Sequence, residues 1–208
     1  MNKKLHDIFK QLFSTYSDNK NLENEFWKEL EKNYTNRKRH YHNLNHLESM
    51  INELETPGIE IRDWDSVLFS VFYHDIVYQS TAKDNEEKSA EKAKIVLQKI
   101  NLPSEQIHKV SNQILATKSH EKSNDSDTNY LLDADLSILG KSWDEYEKYT
   151  KQIRKEYSIY PNFLYNSGRK KVLEHFLTFN EIYKTEFFKE RYEKQARENI
   201  AKEIELLS

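Results

Sequence analysis

The sequence contains no cysteine, which excludes a disulfide framework and any thiolate metal site. Glycine and proline occur only three times each in 208 residues, at Gly58, Gly140 and Gly168 and at Pro57, Pro103 and Pro161. So few breakers leave little room for the many tight turns of a β-sandwich. No apolar run approaches the roughly 18 residues of a membrane span. The stretch MNKKLHDIFKQLF is amphipathic and has no signal-peptide cleavage pattern, so the expected location is cytoplasmic. Charge of one sign is missing too. The 32 basic and 35 acidic side chains give a formal net charge of -3. No basic stripe stands out beyond RKR at 37–39 and RKK at 169–171, and such short runs are usually solvated surface. Binding of DNA or RNA is therefore not indicated.

What the chain does have is aromatic volume. Hydrophobic residues make up only 37%, but thirteen tyrosines and ten phenylalanines can fill a core. A disordered chain normally lacks them. The length fits one domain spanning 1–208. Apolar spacing agrees with helices. Trp64, Val67, Leu68, Val71 and Phe72 share one helical face, as do Ala93, Val96, Leu97 and Ile100. Ile107, Val110, Ile114 and Leu115 mark another helix after Pro103, and Tyr192, Ala196, Ile200, Ile204 and Leu207 trace one near the C-terminus. TPG at 56–58 reads as a turn, and SHEKSNDSD at 119–127 as a loop. Asp84 with Glu87, and Ser142 with Glu145, read as helix caps with their reciprocal acids. Gly140 is expected to end the helix containing DADLSIL. The expectation is an all-α, single-domain helical bundle of about eight to ten helices.

Three stretches carry candidate chemistry. RHYHNLNHLESM, residues 39–50, holds His40, His42 and His46. If a helix starts near Asn43, His42 and His46 lie near one face. Two imidazoles at that spacing can share a metal, or one can bind while the other handles a proton. The alternative is a polar helix start with incidental histidines. In VLFSVFYHDIVY, residues 67–78, His74 and Asp75 sit in an apolar, aromatic helix. A buried carboxylate there is costly unless it is paired or ligates a metal, although a His–Asp pair can also be purely structural. In LLDADLSILG, residues 131–140, Asp133 and Asp135 interrupt another apolar stretch. Asp133 is either a ligand or a cap or surface acid. Asp135 is the better ligand candidate, and spacing alone does not separate the two.

The ordered set His46, His74–Asp75, Asp135 resembles the HD superfamily of metal-dependent phosphohydrolases. YHNLNH also resembles the first motif of the class I cyclic-nucleotide phosphodiesterases of that superfamily. The longer series RHYHNLNHL, FYHDIVY, DNEEKSA, LLDADLSILG, IRKEY, GRKKVLEHFL and ARENI resembles a bacterial family of predicted metal-dependent HD-superfamily phosphohydrolases, over about residues 5 to 207. The resemblance implies an HD-type fold and metal ligands at His46, His74, Asp75 and Asp135. That mixed nitrogen and oxygen set suits Mn, Fe, Co, Ni or Zn, with Mg at an added oxygen-rich position, in one or two sites.

It further implies that His42 donates the proton to the leaving oxygen and that His120 holds a second metal. The alternative for His120 is an exposed histidine near a helix C-terminus, favoured there by the dipole. Superfamily nucleotidases place a water-orienting acid soon after the His–Asp pair, where this chain has Ile76, Val77 and Tyr78. Glu86 is the candidate replacement, and Glu87 reads as a cap. Arg39 is the candidate phosphate contact, with Arg169 behind it. Tyr41 or Tyr78 is placed to stack on a base, His40 is a bystander, and Arg197 and Asn199 read as packing or surface residues. No residue stands out as a purine-binding Gln. The expected activity is metal-dependent hydrolysis of a phosphoester, of a nucleotide or another small phosphorylated metabolite, by a metal-activated water. The competing expectations are an HD-fold di-iron oxygenase and a non-catalytic helical module that binds metal or nucleotide.

Overall fold

Short polar side chains start half of the helices by accepting otherwise unpaired backbone N–H groups. In the computed structural model, which describes residues 2–207, Asn2 starts α1 (Lys3–Ser14) and Asn19 starts α2 (Lys20–Tyr34). Asn43 starts α3 (Leu44–Leu54), Asp63 starts α4 (Trp64–Tyr73) and Asp125 starts α7 (Ser126–Asp135). Pro103 precedes α6 (Ser104–Ala116) and Pro161 precedes α9 (Asn162–Thr178), where a missing N–H costs nothing. The others are α5 (Asn85–Lys99), α8 (Trp143–Glu156) and α10 (Glu186–Leu206). A 3₁₀ turn, Leu136–Gly140, continues α7. The fold is all-α, with ten α-helices and no strand among the described residues. No described helix is long and apolar enough to cross a membrane.

Helix α4 is the hub. Every residue from Ser66 to Tyr73 is buried, as expected for a helix that is apolar all round. It packs against α3, α5, α6 and α7. Helices α1 and α2 close one end with Phe9, Phe13, Phe26 and Trp27, and the Phe9 ring meets Phe72 of α4 edge-on at 5.2 Å. Burying each such ring contributes on the order of 1.5–3 kcal/mol. Helix α10 runs along the 3₁₀ turn, and Gly140 is what lets it approach. A Cβ at Gly140 would lie 2.8 Å from the Tyr192 carbonyl oxygen.

Several local expectations are corrected. Gly140 ends the 3₁₀ turn, because α7 already stops at Asp135. The 119–127 loop gives way to α7 at Ser126. Asp84 precedes α5 but caps no N–H; its carboxylate pairs with Lys88 at 2.9 Å, and Glu87 pairs with Lys118. Full positive charges outcompete the neutral backbone donors there. The Ser142 hydroxyl donates to the Glu145 carboxylate at 2.7 Å instead of accepting an N–H. Leu115 is exposed, and Gln113 is the buried neighbour, because its Oε1 accepts the Ser70 hydroxyl at 2.6 Å. Gly58 supplies the positive φ of the TPG turn.

Candidate metal centre

The HD pair does not lie within α4. The helix ends at Tyr73, His74 is its C-cap, and Asp75 sits in the turn beyond. That turn exposes Asp75 to a cavity while His74 stays buried. The His74 Nδ1 donates to the Val71 carbonyl at 3.0 Å. In the neutral ring this leaves Nε2 as a lone pair pointing inward.

Three other segments meet it. His46, in the first turn of α3, is buried, and its ring centroid is 5.4 Å from that of His74. Donor atoms of His46, His74 and Asp75 all lie within 4.8 Å of one another. Asp135, the last residue of α7, places Oδ1 3.1 Å from His46 Nε2 and 3.9 Å from His74 Nε2. His74 Nε2 is 3.3 Å from Asp75 Oδ2. These approaches are close but misdirected for hydrogen bonds: Nε2 of both His46 and His74 is buried without a hydrogen-bond partner. Leaving one such atom unpaired costs on the order of 1–3 kcal/mol. Two converging on two carboxylates fit a divalent cation of borderline type.

The electrostatics are those of a closed charge cluster. Burial pushes the His46 imidazole down. Burial acts on His74 in the same sense, but the neighbouring Asp75 and Asp135 carboxylates raise it to about 9. In return the imidazoles hold Asp75 and Asp135 below the usual carboxylate range against the effect of burial.

The pair Asp133 and Asp135 separates cleanly. Asp133 faces away, fully buried, and accepts from the backbone N–H of Lys184 (2.7 Å) and Thr185 (2.8 Å) and from the Thr185 hydroxyl (2.6 Å). It fastens the start of α10. Residues two apart on a helix point to nearly opposite sides, so Asp135 alone reaches the histidines. His120 lies past the end of α6, which stops at Ala116, in a left-handed conformation with φ +52°. Such backbone is uncommon outside glycine and clusters at functional sites. It brings His120 Nε2 to 3.0 Å from Asp135 Oδ2, instead of leaving the ring exposed at the helix end.

His42 is held from a direction the sequence reading did not supply. Glu156, at the end of α8, is 7% exposed. Its Oε1 accepts the backbone N–H groups of His40 (2.7 Å), Tyr41 (2.7 Å) and His42 (3.0 Å). Its Oε2 meets His42 Nδ1 at 2.6 Å and the Tyr78 hydroxyl at 2.9 Å. Burial lowers the affinity of His42 for a proton, but Glu156 and the acids beyond outweigh it and the net shift is upward. The signal for Glu156 was present. It continues the buried stripe Tyr146, Tyr149, Ile153 at helical spacing, and a carboxylate on such a stripe needs donors.

Arg39 is turned to backbone carbonyls and not to the cavity. Its guanidinium donates to the carbonyls of Asp75 (2.6 Å), Ile76 (3.0 Å) and His42 (3.3 Å) and lies 4.8 Å over the Tyr34 ring. It latches the 39–43 loop to the HD turn from behind and takes no part in lining the cavity. The cavity, about 720 Å³, is lined by His42, His74, Asp75, His120 and Asp135, with Glu86, Lys118 and Arg169 in its wall. Lys118 and Arg169 are its two long cationic side chains; Arg169 is paired with Glu203 at 2.8 Å and donates to the Tyr149 hydroxyl at 3.2 Å. Tyr41 and Tyr78 both line the cavity, the Tyr78 ring 4.3 Å from His42. The His40 ring lies outside the cavity lining. Asn199 donates to the carbonyls of Leu139 and Lys141 at 2.8 Å, and Arg197 pairs with Glu193 at 2.7 Å, so both are packing residues.

No family model, curated protein or solved structure matches the chain.

Proposed function

We propose that the chain is a metal-dependent phosphohydrolase of HD type acting on a nucleotide or another small phosphorylated metabolite. The observation that carries this reading is the pair of buried, unpartnered Nε2 atoms of His46 and His74, converging with Asp75 and Asp135 at the wall of an open cavity. Those four side chains would hold the cation. When bound, it polarises a phosphoryl oxygen and lowers the pKa of a water.

The chain's own residues supply the rest. Glu156 fixes His42 through Nδ1 and favours its protonated form, leaving Nε2 to give a proton to the departing oxygen. Glu86 stands in the wall on the first turn of α5 as an acceptor for a water or substrate hydroxyl. Arg169 and Lys118 supply positive charge toward phosphoryl oxygens. Arg39 serves as a positioning residue, since it fixes the loop that carries His42 to the turn that carries Asp75.

A screen of mono-, cyclic and polyphosphorylated nucleotides with Mn, Co, Ni and Mg tests this. Turnover that depends on metal and collapses in His74→Ala and Asp75→Ala is expected. A folded His74→Ala or Asp75→Ala protein with full activity refutes it. Metal that raises Tm with no turnover anywhere in the screen would instead mark a non-catalytic binding module.

A second cation has one observation in its favour. Asp135 turns Oδ1 to His46 and Oδ2 to His120, which suits a bridging carboxylate. Two irons per chain, with oxygen uptake and no phosphoester turnover, would replace hydrolysis by an oxidative reading.

A further inference from the structure

Helix α9 has 17 residues, yet only Tyr165 and Leu173 are buried. Leu164, Gly168, Val172 and Phe176, at steps of four, all line the cavity. One face of α9 is therefore a cavity wall. That wall is apolar and uncovered: Leu164 is 51% and Val172 48% exposed. Gly168 lies in the middle of it. A Cβ built at Gly168 meets nothing within 4 Å, so packing does not demand glycine as it does at Gly140. Backbone conformation does not demand it either, since Gly168 is helical. Glycine in a helix interior is the least favourable residue short of proline. What it leaves is clearance, and the clearance opens into the cavity.

The other side of this space is aromatic. Tyr149 and Tyr157 line it, and the ring of Tyr165, on α9 itself, lies 6.1 Å from that of Tyr157. The Tyr149 hydroxyl is engaged by Arg169, and the Tyr165 ring is braced by Arg154 at 4.6 Å. What these residues offer a ligand is ring surface, which favours flat aromatic partners in offset or edge-on contact. His74, Asp75 and Asp135 open into the same cavity, so a molecule spanning it places one end at the metal centre and the other on α9.

We propose that the cavity takes a phosphoester whose non-phosphate part is a flat, apolar aromatic group, seated over Gly168 between α9, which carries Tyr165, and the rings of Tyr149 and Tyr157. Gly168 then sets the upper size of that group. The inference rests on the reading of this cavity as the active site.

The test uses 1-naphthol as a phosphate-free probe, titrated calorimetrically into the metal-free full chain. Wild type is expected to bind it. Gly168→Leu fills the clearance and weakens binding by about tenfold or more, while Tm does not fall, because leucine is the better helix former. Gly168→Ala raises Tm by about 2–4 °C. Val172→Ser, at a half-exposed position, also weakens binding and keeps the test decisive if Gly168→Leu fails to fold. No binding to wild type, unchanged affinity in Gly168→Leu or Val172→Ser, or a lower Tm in Gly168→Ala overturns the proposal. Assay of 1-naphthyl phosphate separates the two readings. Variant-sensitive naphthol binding, with no turnover of this ester or of any nucleotide in the screen under any metal, keeps the aromatic seat and removes the hydrolytic reading. Turnover without variant-sensitive binding does the reverse.

Discussion

Glu156→Gln removes one charge and keeps the side-chain shape. Burial alone would raise the Glu156 carboxyl, but the His42 bond and charge and the loop N–H groups bring it from its ordinary 4.5 to about 2. Each pH unit is worth about 1.4 kcal/mol, so the carboxylate contributes on the order of 3 kcal/mol to folding. The sign follows from the lowered value. The contribution is fully present above about pH 4.5 and is lost as pH falls toward about 2. Glutamine does not titrate, so the variant lacks this dependence. Urea unfolding of both proteins in chelator, at steps from pH 7 to pH 2, measures it. The stability gap between wild type and Glu156→Gln is expected to narrow by roughly 3 kcal/mol between about pH 5 and pH 2. A gap that stays constant over that range refutes the reasoning. In the phosphoester assay the same variant should move the alkaline limb of the pH–rate profile to lower pH, because His42 loses the partner that holds its proton.

Asp133→Asn should cost about 1–3 kcal/mol by removing one of two oxygens that anchor Lys184 and Thr185, and should reduce the metal-induced stabilisation without abolishing it. Asp135→Asn should abolish the metal-induced rise in Tm; thermal melts with and without Mn or Co separate the two, and the reverse pattern would mean the aspartates are misassigned. Gly140→Ala should destabilise by about 1–3 kcal/mol, since its methyl must displace the Tyr192 backbone, and denaturant titration would show this. An unchanged midpoint would mean that α10 is not held against the 3₁₀ turn.

The helical class was legible because stripes such as Ala93, Val96, Leu97 and Ile100 repeat at one helical period and fall inside α5 or at its end. So was the candidate centre, because carboxylates and imidazoles within apolar runs call for partners. What stayed hidden depends on direction, not on residue type. Nothing in DAD says which aspartate turns inward; that follows from where α10 begins. Arg39 reads as a free cation until the HD turn is seen to present its carbonyls to it. For His120 the sequence leaves a second-metal ligand and a helix-end histidine both open, because a positive φ has no signature in a non-glycine residue. Glu156 is legible only once the stripe on α8 is seen to end on an acid facing three amides of a loop more than a hundred residues earlier.

Helix α7 grips two distant parts of the molecule with side chains two positions apart. Asp133 holds Lys184 and Thr185, which lead into α10, and Asp135 meets His46 and His120. The helix is thus an axle: a small turn about its length cannot favour one carboxylate without pulling on the other. Loosening Thr185, with no contact to the histidines, should alter the spacing of the four candidate ligands. The docking of α10 therefore acts as a gauge for the metal centre, and the C-terminal helix is as much a part of the site's construction as the segments that carry its donors.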